Sequence, residues 1–495
     1  MLSSLLRKRP YRCLSNTAKL CLLPWILLSP SKTTIYGMSI ATNKMERKVA
    51  IIGGGIAGLS CANHLLANNE SGFDVCVYDT GRLRSGGRCS SRQSGDSSKK
   101  VGSDTEFPLL RNYLFDHAAQ LISLPEQIQR DNPQFHNQVQ KWLQKGVIQE
   151  FPPKSVCQIV DSNTQSKVGS EEKSAPLVQS LNGQKYYHGT NGMSGLAIDM
   201  VQDTVQSSSS FELKQDVWVS PGSGVKYQKE TGKWKVQAKG KTLGYYDDIV
   251  IAHNGKCADR LMSKSPAKDV HSLLRVNFAP TVPLNGGKKM TLNSIYSLTV
   301  VVSSLSSPLS KALSSPSSVA FVKNHPSLSM LTCQTRKYPQ KNEVNNDHEV
   351  WTILSSAKFG KKYKGPQENL PEETIELVSS LLLKAVQTCL GIDETASIEV
   401  LEKRLQLWGA AVPLNIWNNE KGFIYDGKYN VGVCGDWLVE PSLSGAWTSG
   451  RLLANHMLKA SSSSDVVDKK SVGVDGQFER SESVSAFGIA ALPKN

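Results

Sequence analysis

The chain has 495 residues, 39% of them hydrophobic and 20% charged, a balance typical of globular proteins and a length that predicts two packed domains. Its formal net charge is +14, but residues 1–45 hold seven Lys or Arg and no acid, which leaves about +7 elsewhere. No stretch alternates basic and aromatic residues, so no nucleic-acid partner is expected. The ten cysteines include no C-x-x-C pair, which argues against a zinc site or a disulfide framework, and we expect no metal.

The first 45 residues have the composition of an organelle transit peptide, because they are rich in Ser and basic residues and contain no acid before Glu46. The apolar run at 20–28 contains a proline and is shorter than the roughly 20 residues of a membrane-spanning helix, so we expect no integral membrane span. A secretory signal or an anchor is the alternative. We expect an organelle location, the chloroplast ahead of the mitochondrion, with internal starts at Met38 or Met45 yielding a cytosolic form.

The next pattern in the chain is β-α-β. The strand-like "KVAIIG" precedes the helical "GLSCANHLLANN" and a second strand, "FDVCVYDT". This order requires a parallel sheet and predicts the beginning of a doubly wound α/β fold.

A glycine turn joins the first strand to the helix, where Gly53, Gly55 and Gly58 form G-x-G-x-x-G. The first glycine permits a tight turn, the second lets a pyrophosphate approach the backbone, and the third permits close helix packing. Asp79 ends the second strand 21 residues later, where a carboxylate accepts hydrogen bonds from a ribose. The turn therefore predicts a dinucleotide site, with NAD and FAD both open. Since N–H groups at the helix start face phosphate, Ile56 and Ala57 are further expected contacts, and Thr80, next to Asp79, is another.

A second glycine loop follows the acid in "TGRLRSGGRCSSR", where Arg82, Gly86, Gly87 and Arg88 combine paired glycines with cations. FAD is longer than the first β-α-β unit, and such a loop can hold its pyrophosphate and ribityl side. The alternative is an Arg-rich surface turn. This loop favours FAD.

These motifs resemble the FAD-dependent amine oxidase superfamily, whose members carry a G-G-R loop after the acidic strand end. The segment "YLFDHAAQLIS" resembles their strand beside the isoalloxazine, with His117 where a glycine is expected, and "DVWVSPGSG" resembles their strand whose backbone meets adenine. The late stretch "YNVGVCGDWLVEPSLSGAWTSG" resembles their closing turn and helix, which implies a ribityl contact and a helix N-terminus near the flavin. The contacts implied by the resemblance are Gln120, Val217, Gly435, Asp436, Gly445 and Ala446.

Within the superfamily, the order of "FDHAAQLIS", "EVWTILSSAKFG", "KRLQLWGAAVPLN" and "VCGDW" is most similar to the renalase branch, over residues 48–458. The resemblance implies an α/β Rossmann-type FAD-binding domain, assembled from discontinuous pieces, and an α+β substrate domain whose antiparallel sheet roofs the flavin. It also implies non-covalent FAD, a small-molecule substrate and an electron acceptor. Hydride would pass from a reduced substrate, an NAD(P)H isomer or an amine, to flavin N5, and O2 would return H2O2.

Trp408 and Trp437 are the candidate catalytic residues, as aromatic walls for the substrate and the ring, with core roles as the alternative. His117 is expected to be a buried histidine rather than a flavin donor. Lys358, in an apolar strand pattern, is expected to be exposed rather than flavin-facing. Cys434 is expected to be a buried strand residue rather than a covalent flavin link.

The implied domain division alternates along the chain. It assigns 1–45 to the transit peptide, 46–122, 186–260 and 406–459 to the FAD-binding domain, 123–185 and 261–405 to the substrate domain, and 460–495 to a flexible tail.

Two other functions share the same FAD signatures. One is a plastid desaturase or oxidase of a carotenoid- or porphyrin-like substrate, which would need a long apolar tunnel. The other is a non-catalytic flavoprotein serving as a binding or assembly factor, which an open flavin face without an aromatic wall would favour.

Overall fold

The computed structural model describes residues 46–67, 72–94, 107–160, 177–181, 184–343, 347–367, 369–462 and 470–481. The predicted transit peptide, most of the Ser/Lys-rich loop at 94–100 and residues 482–495 of the predicted tail lie outside these ranges. No helix within them has the length and apolar character needed to cross a membrane.

A seven-stranded sheet with the strand order β10-β2-β1-β14-β24-β23-β25 forms the first layer. The first five strands in that order run parallel, and the last two join antiparallel. This is a Rossmann-like sheet and confirms the predicted α/β fold class. The strands are β1 (Arg47–Ile52), β2 (Phe73–Tyr78), β10 (Phe211–Lys214), β14 (Asp248–Ile251), β23 (Ile424–Asp426), β24 (Val431–Val433) and β25 (Ser471–Val472).

Both faces of this sheet are covered, which explains why β1 reads as a continuous apolar run. Val49 and Ile51 point into one core while Ala50 and Ile52 point into the other, as the two-residue period of a strand requires. The first core is closed by α1 (Ile56–Leu65), α3 (Pro133–Gln144), α4 (Ser194–Ser207) and α11 (Leu443–Ser462). The second is closed by α5 (Gly255–Met262), α6 (Lys268–Leu274), β11 (Val225–Gln228), β12 (Lys233–Ala238) and β13 (Lys241–Tyr246).

A second seven-stranded sheet has the order β21-β17-β20-β19-β18-β7-β8. All its neighbours pair antiparallel except β18 and β7, which confirms the predicted antiparallel sheet. The helix α10 (Glu372–Cys389) packs Val378 and Leu382 against one face. The strands are β7 (Val156–Val160), β8 (Leu177–Ser180), β17 (Ile295–Ser303), β18 (Val319–Lys323), β19 (Leu328–Cys333), β20 (His348–Ser355) and β21 (Val400–Trp408).

Smaller elements lie between the strands of the two large sheets along the chain. The strands are β3 (Ser91–Arg92) with β4 (Phe115–Asp116), β5 (Ile122–Leu124) and β6 (Ile148–Glu150) with β9 (Lys185–Gly189), β15 (Val276–Phe278) with β16 (Met290–Leu292), and β22 (Asn415–Asn418) with β26 (Gln477–Arg480). The short helices are α2 (Glu126–Asp131), α7 (Pro308–Ala312), α8 (Gln334–Lys337) and α9 (Ala357–Lys362).

The structure differs from the expected segment roles in two places. Residues 470–481 are not a flexible tail, because β25 and β26 pair with β23 and β22 and Phe478 is buried between tryptophans. The predicted substrate segment 123–185 is also not uniform. Its helix α3 buries Phe135 and Trp142 in the core of the Rossmann-like sheet, while β7 and β8 join the second sheet.

Candidate functional site

A cavity of about 610 Å³ opens at the carboxyl ends of β1, β2, β14 and β24 and reaches the end of β21. Such an edge is where parallel α/β sheets bind ligands. The cavity brings together most of the residues singled out in the sequence. They are Gly53, Gly55, Ile56, Ala57, Asp79, Thr80, Gly86, Gly87, Arg88, Val217, Trp408, Gly435, Asp436, Trp437 and Ala446.

The three glycines of the first turn have different neighbours. Gly53 has φ +119°, which favours glycine, and it makes the tight turn. A Cβ on Gly58 would lie 2.0 Å from the Gly53 carbonyl oxygen, so Gly58 permits helix packing and does not line the cavity. A Cβ on Gly55 would meet nothing within 4 Å, so its surface is open to a ligand. Gly54, which the motif does not specify, abuts Asp79, since a Cβ there would lie 2.8 Å from the Asp79 side chain.

Asp79 presents an unsatisfied acceptor to the cavity. Its side chain is buried, and Oδ2 has no hydrogen-bond partner among the described residues. Burial raises the pKa of Asp79, and backbone N–H groups of Gly81, Thr80 and Gly54 partly oppose that rise. A buried carboxylate oxygen without a donor has room for a ligand hydroxyl.

The adenine-side segment differs from the expectation in its backbone. Residues 215–220 are not a strand but a loop, held where the Val217 N–H donates to the Asp79 carbonyl oxygen at 2.9 Å. Val217 nevertheless lines the cavity, next to Asp79.

The second glycine loop is tied to the first, since the Gly86 N–H donates to the Gly54 carbonyl oxygen at 2.7 Å. The Arg88 guanidinium then makes an ion pair with Asp436 at 2.7 Å and donates to the Ala411 carbonyl oxygen at 2.9 Å. Burial lowers the pKa of Arg88, but the Asp436 carboxylate outweighs it and leaves that pKa above its ordinary value. The two ends of the Rossmann-like region therefore meet in one ion pair at the cavity wall.

Four of the candidate residues lie outside the cavity lining: Gly58, Arg82, Gln120 and Gly445. The Arg82 side chain is 63% exposed and faces Asp216 at 3.5 Å. Gln120 is fully buried, where its amide donates to the carbonyl oxygens of Asp116 and Ala118. A Cβ on Gly445 would lie 2.1 Å from the Glu440 carbonyl oxygen, so that glycine serves a backbone contact.

Trp408 and His117 form a stacked pair, with ring centroids 5.7 Å apart and planes 12° from parallel. The Trp408 indole N–H donates to the His117 carbonyl oxygen at 3.2 Å. His117 itself is buried and lies behind the lining, and burial lowers its pKa to about 3, so the ring is neutral. Its Nε2 contacts the Ser90 hydroxyl at 3.1 Å, and Nδ1 has no described partner. Trp408 therefore presents an aromatic wall backed by a neutral imidazole.

Trp437 lies on another wall of the cavity and is 1% exposed. It stacks on Phe478 of β26 at 6.4 Å between ring centroids. Its indole N–H has no partner among the described residues, and a Cβ on Gly435 would lie 2.9 Å from this nitrogen. Gly435 therefore leaves room for the indole.

A buried ion pair missed in the sequence anchors the segment around His117. Asp116 accepts hydrogen bonds from Lys337 at 2.6 Å and from the Ser91 and Tyr338 hydroxyls, with Asp116 and Lys337 side chains fully buried. Burial raises the pKa of Asp116, but the Lys337 charge and these hydrogen bonds outweigh it and lower that pKa. This cluster positions β4 and does not line the cavity.

The cavity lining also includes side chains that the sequence motifs did not indicate, among them His253, Lys256, Phe278, Lys364 and Gln367. His253 follows β14, so its place beside a parallel-strand edge was a usable signal. No local pattern marks Lys364. Lys358 lies on the short helix α9 rather than a strand, because Ser356 caps the turn by accepting the Phe359 N–H, and its side chain is exposed. Cys434 lines the cavity and is 1% exposed.

The sequence comparisons agree with this architecture. Residues 51–132 match the profile of an NAD(P)-binding Rossmann-like domain. No curated protein matches the chain. The fold and the site thus define a protein with a Rossmann-type dinucleotide-binding domain.

Two similar solved structures come from a structure-based redesign of cofactor binding in putrescine oxidase. A double mutant aligns with a TM-score of 0.46 and 13% identity, and the wild type bound to putrescine with 0.45 and 12%. Each alignment covers 84% of this chain and 99% of the other. At this similarity neither structure bears on what the chain binds or does.

Proposed function

We propose that the protein is an FAD-dependent oxidoreductase that holds FAD non-covalently and oxidises a small reduced substrate against Trp408. The observation that carries this proposal is the continuity of one cavity. It runs from the open glycine turn at Gly55, past the Arg88–Asp436 ion pair, to Trp408. An NAD site confined to the first β-α-β unit would not require the last two features.

The residues present fit the shape and polarity of FAD. Gly55 and the start of α1 would receive the pyrophosphate, because the backbone is open there and helix-start N–H groups attract anions. The unpartnered Asp79 Oδ2 would accept from the adenosine ribose. Asp436, oriented by Arg88, would accept from a ribityl hydroxyl. When bound, FAD supplies a hydride acceptor and passes electrons on, to O2 in the renalase-like branch that the motif order supports.

The protein's own part in the reaction is to bind, orient and exclude water. Trp408 supplies a flat surface on which a substrate stacks, and the His117 ring holds that surface in place. Since His117 is neutral, it brings no charge behind this wall. An aromatic wall at this end supports catalysis over a purely structural flavoprotein. The finer assignment, an NAD(P)H isomer or an amine as hydride donor, rests on motif resemblance.

The test begins with the cofactor. The purified protein should be yellow, and acid precipitation should release FAD quantitatively, since the proposed binding is non-covalent. Anaerobic mixing with NAD(P)H isomers, amines and porphyrinogens, followed by flavin absorbance, then identifies the donor. A colourless protein that takes up no added FAD contradicts the proposal, and bleaching by porphyrinogens alone contradicts the renalase-like branch.

Trp408→Leu tests the aromatic wall. The variant should keep its FAD content but slow flavin reduction by roughly tenfold or more, because substrate orientation is lost. The matched control is Tyr245→Leu, which removes an exposed aromatic ring on β13 and should leave the rate unchanged. Equal reduction rates in both variants would remove Trp408 from the substrate site.

A further inference from the structure

Two lysines at the cavity mouth have no partner carboxylate among the residues that the structure describes. Lys256 in the first turn of α5 and Lys364 just after α9 both line the cavity. Their ammonium groups lie 5.7 Å and 3.6 Å from the centroid of the same ring, Phe278. No carboxylate among the described residues lies within ion-pair distance of either lysine. Neither of the two acidic residues that line the cavity neutralises this charge, because Asp436 pairs with Arg88 and Asp79 is buried beside the glycine turn.

The lysine ammonium groups at the cavity mouth repel one another. Lys361 on α9 also reaches Phe278, donating to its carbonyl oxygen at 2.8 Å, so three ammonium groups surround one aromatic residue. Partial burial, together with the charges of Lys361 and Lys256, lowers the pKa of Lys364 to about 8. An anion placed between Lys256 and Lys364 would relieve this repulsion and gain charge-assisted hydrogen bonds.

Lys364 lies close to Trp408, the proposed substrate wall. The Lys364 ammonium donates to the carbonyl oxygen of Gly409 at 3.2 Å, and Gly409 directly follows Trp408 in the chain. The glycine turn, where the FAD phosphates are proposed to bind, is a different part of the cavity wall. The lysines are therefore placed to meet a group at the Trp408 end.

We propose that Lys256 and Lys364 form an anion subsite for a phosphate or carboxylate group of the molecule that stacks on Trp408. The inference deepens the proposed function and rests on it for the identity of that molecule as the reduced substrate. The anion subsite itself depends only on the two lysines.

Calorimetric titration of the FAD-saturated protein tests the subsite, with inorganic pyrophosphate and succinate as separate probes. Each probe stands for one source of the anionic group. Lys256→Gln and Lys364→Gln should each weaken binding of the preferred probe about tenfold or more, the usual effect of losing a charged hydrogen bond. The matched control is Lys358→Gln, the same change at an exposed position of α9, which should leave the dissociation constant unchanged.

The pH dependence gives a second measurement. Succinate is fully ionised above neutrality, so its affinity should fall as pH rises through about 8, where Lys364 loses its charge. Lys364→Gln should remove that part of the pH dependence.

The outcomes separate this inference from the proposed function. Binding of neither probe, or equal binding by wild type and both lysine variants, overturns the subsite even if the protein is a functional flavoenzyme. If the protein holds no FAD, the proposed function fails, and the same lysine variants still decide the subsite in the cofactor-free protein. Preference for pyrophosphate supports a phosphorylated substrate, and preference for succinate supports a carboxylate.

Discussion

Single glycines in the glycine turn have separate roles, as the motif predicts. Gly55 is open to the cavity with φ −77°, a conformation that other residues adopt, whereas Gly58 touches the Gly53 carbonyl oxygen. Gly55 is therefore placed to contact the ligand, and Gly58 allows α1 to pack on β1. The sequence predicted the roles of both glycines, because the strand, the turn and the helix are adjacent in the chain.

Gly55→Ala and Gly58→Ala should therefore affect different properties, FAD binding in the first variant and stability in the second. Gly55→Ala should keep the thermal unfolding midpoint of the cofactor-free protein but weaken FAD binding, because the methyl group occupies ligand space. Gly58→Ala should lower the free energy of unfolding by roughly 2–3 kcal/mol, because backbone atoms must move. Thermal unfolding together with FAD titration measures both. If Gly55→Ala binds FAD normally, the cofactor does not approach this turn.

At the scale of elements, the crossing of α11 over α1 decides the shape of the cavity wall. A Cβ on Gly450 would lie 2.1 Å from the Ala57 carbonyl oxygen, and the Ser60 hydroxyl donates to the Trp447 carbonyl oxygen at 2.7 Å. The small residues of α11 have different roles. Ala446 does line the cavity, but Gly450 instead permits two helices distant in sequence to approach.

Gly450→Ala should destabilise the protein by roughly 2–3 kcal/mol, since the added methyl group meets backbone that cannot give way locally. Gly195→Ala in the first turn of α4 is the control. Its Cβ would meet only the Val147 carbonyl oxygen at 3.8 Å, and alanine favours the helix, so stability should be equal or higher. Denaturant unfolding of both variants provides the comparison. A neutral Gly450→Ala would mean that the helices are not packed this closely.

At the scale of the whole molecule, the segment at residues 470–481 packs against one wall of the cavity. The strand β26 pairs with β22 and places Phe478 against Trp417 at 5.0 Å and Trp437 at 6.4 Å between ring centroids. The sequence pattern does not reveal this short strand, because Phe478 is the only apolar residue in it and the only one that it buries deeply.

Phe478→Ala should cost about 3 kcal/mol of stability, the usual effect of a large buried truncation, and should weaken FAD binding by loosening Trp437. Gln477→Ala on the same strand is exposed and should do neither. Chemical denaturation and FAD titration report the two effects. Wild-type stability in Phe478→Ala would support the original expectation of a flexible tail.

The sequence by itself determined the Rossmann-type unit, its glycine turn and Asp79, because these depend on residues close together in the chain and on strand and helix periodicity. Only the tertiary structure decided that Arg88 pairs with Asp436, that Arg82 and Gln120 lie outside the cavity, and that Lys256 and Lys364 stand at its mouth. Arg88 and Asp436 are 348 positions apart in the chain, and Lys256 and Lys364 are 108 positions apart. Such separations leave no periodic signal in the sequence, and only tertiary packing brings these residues together.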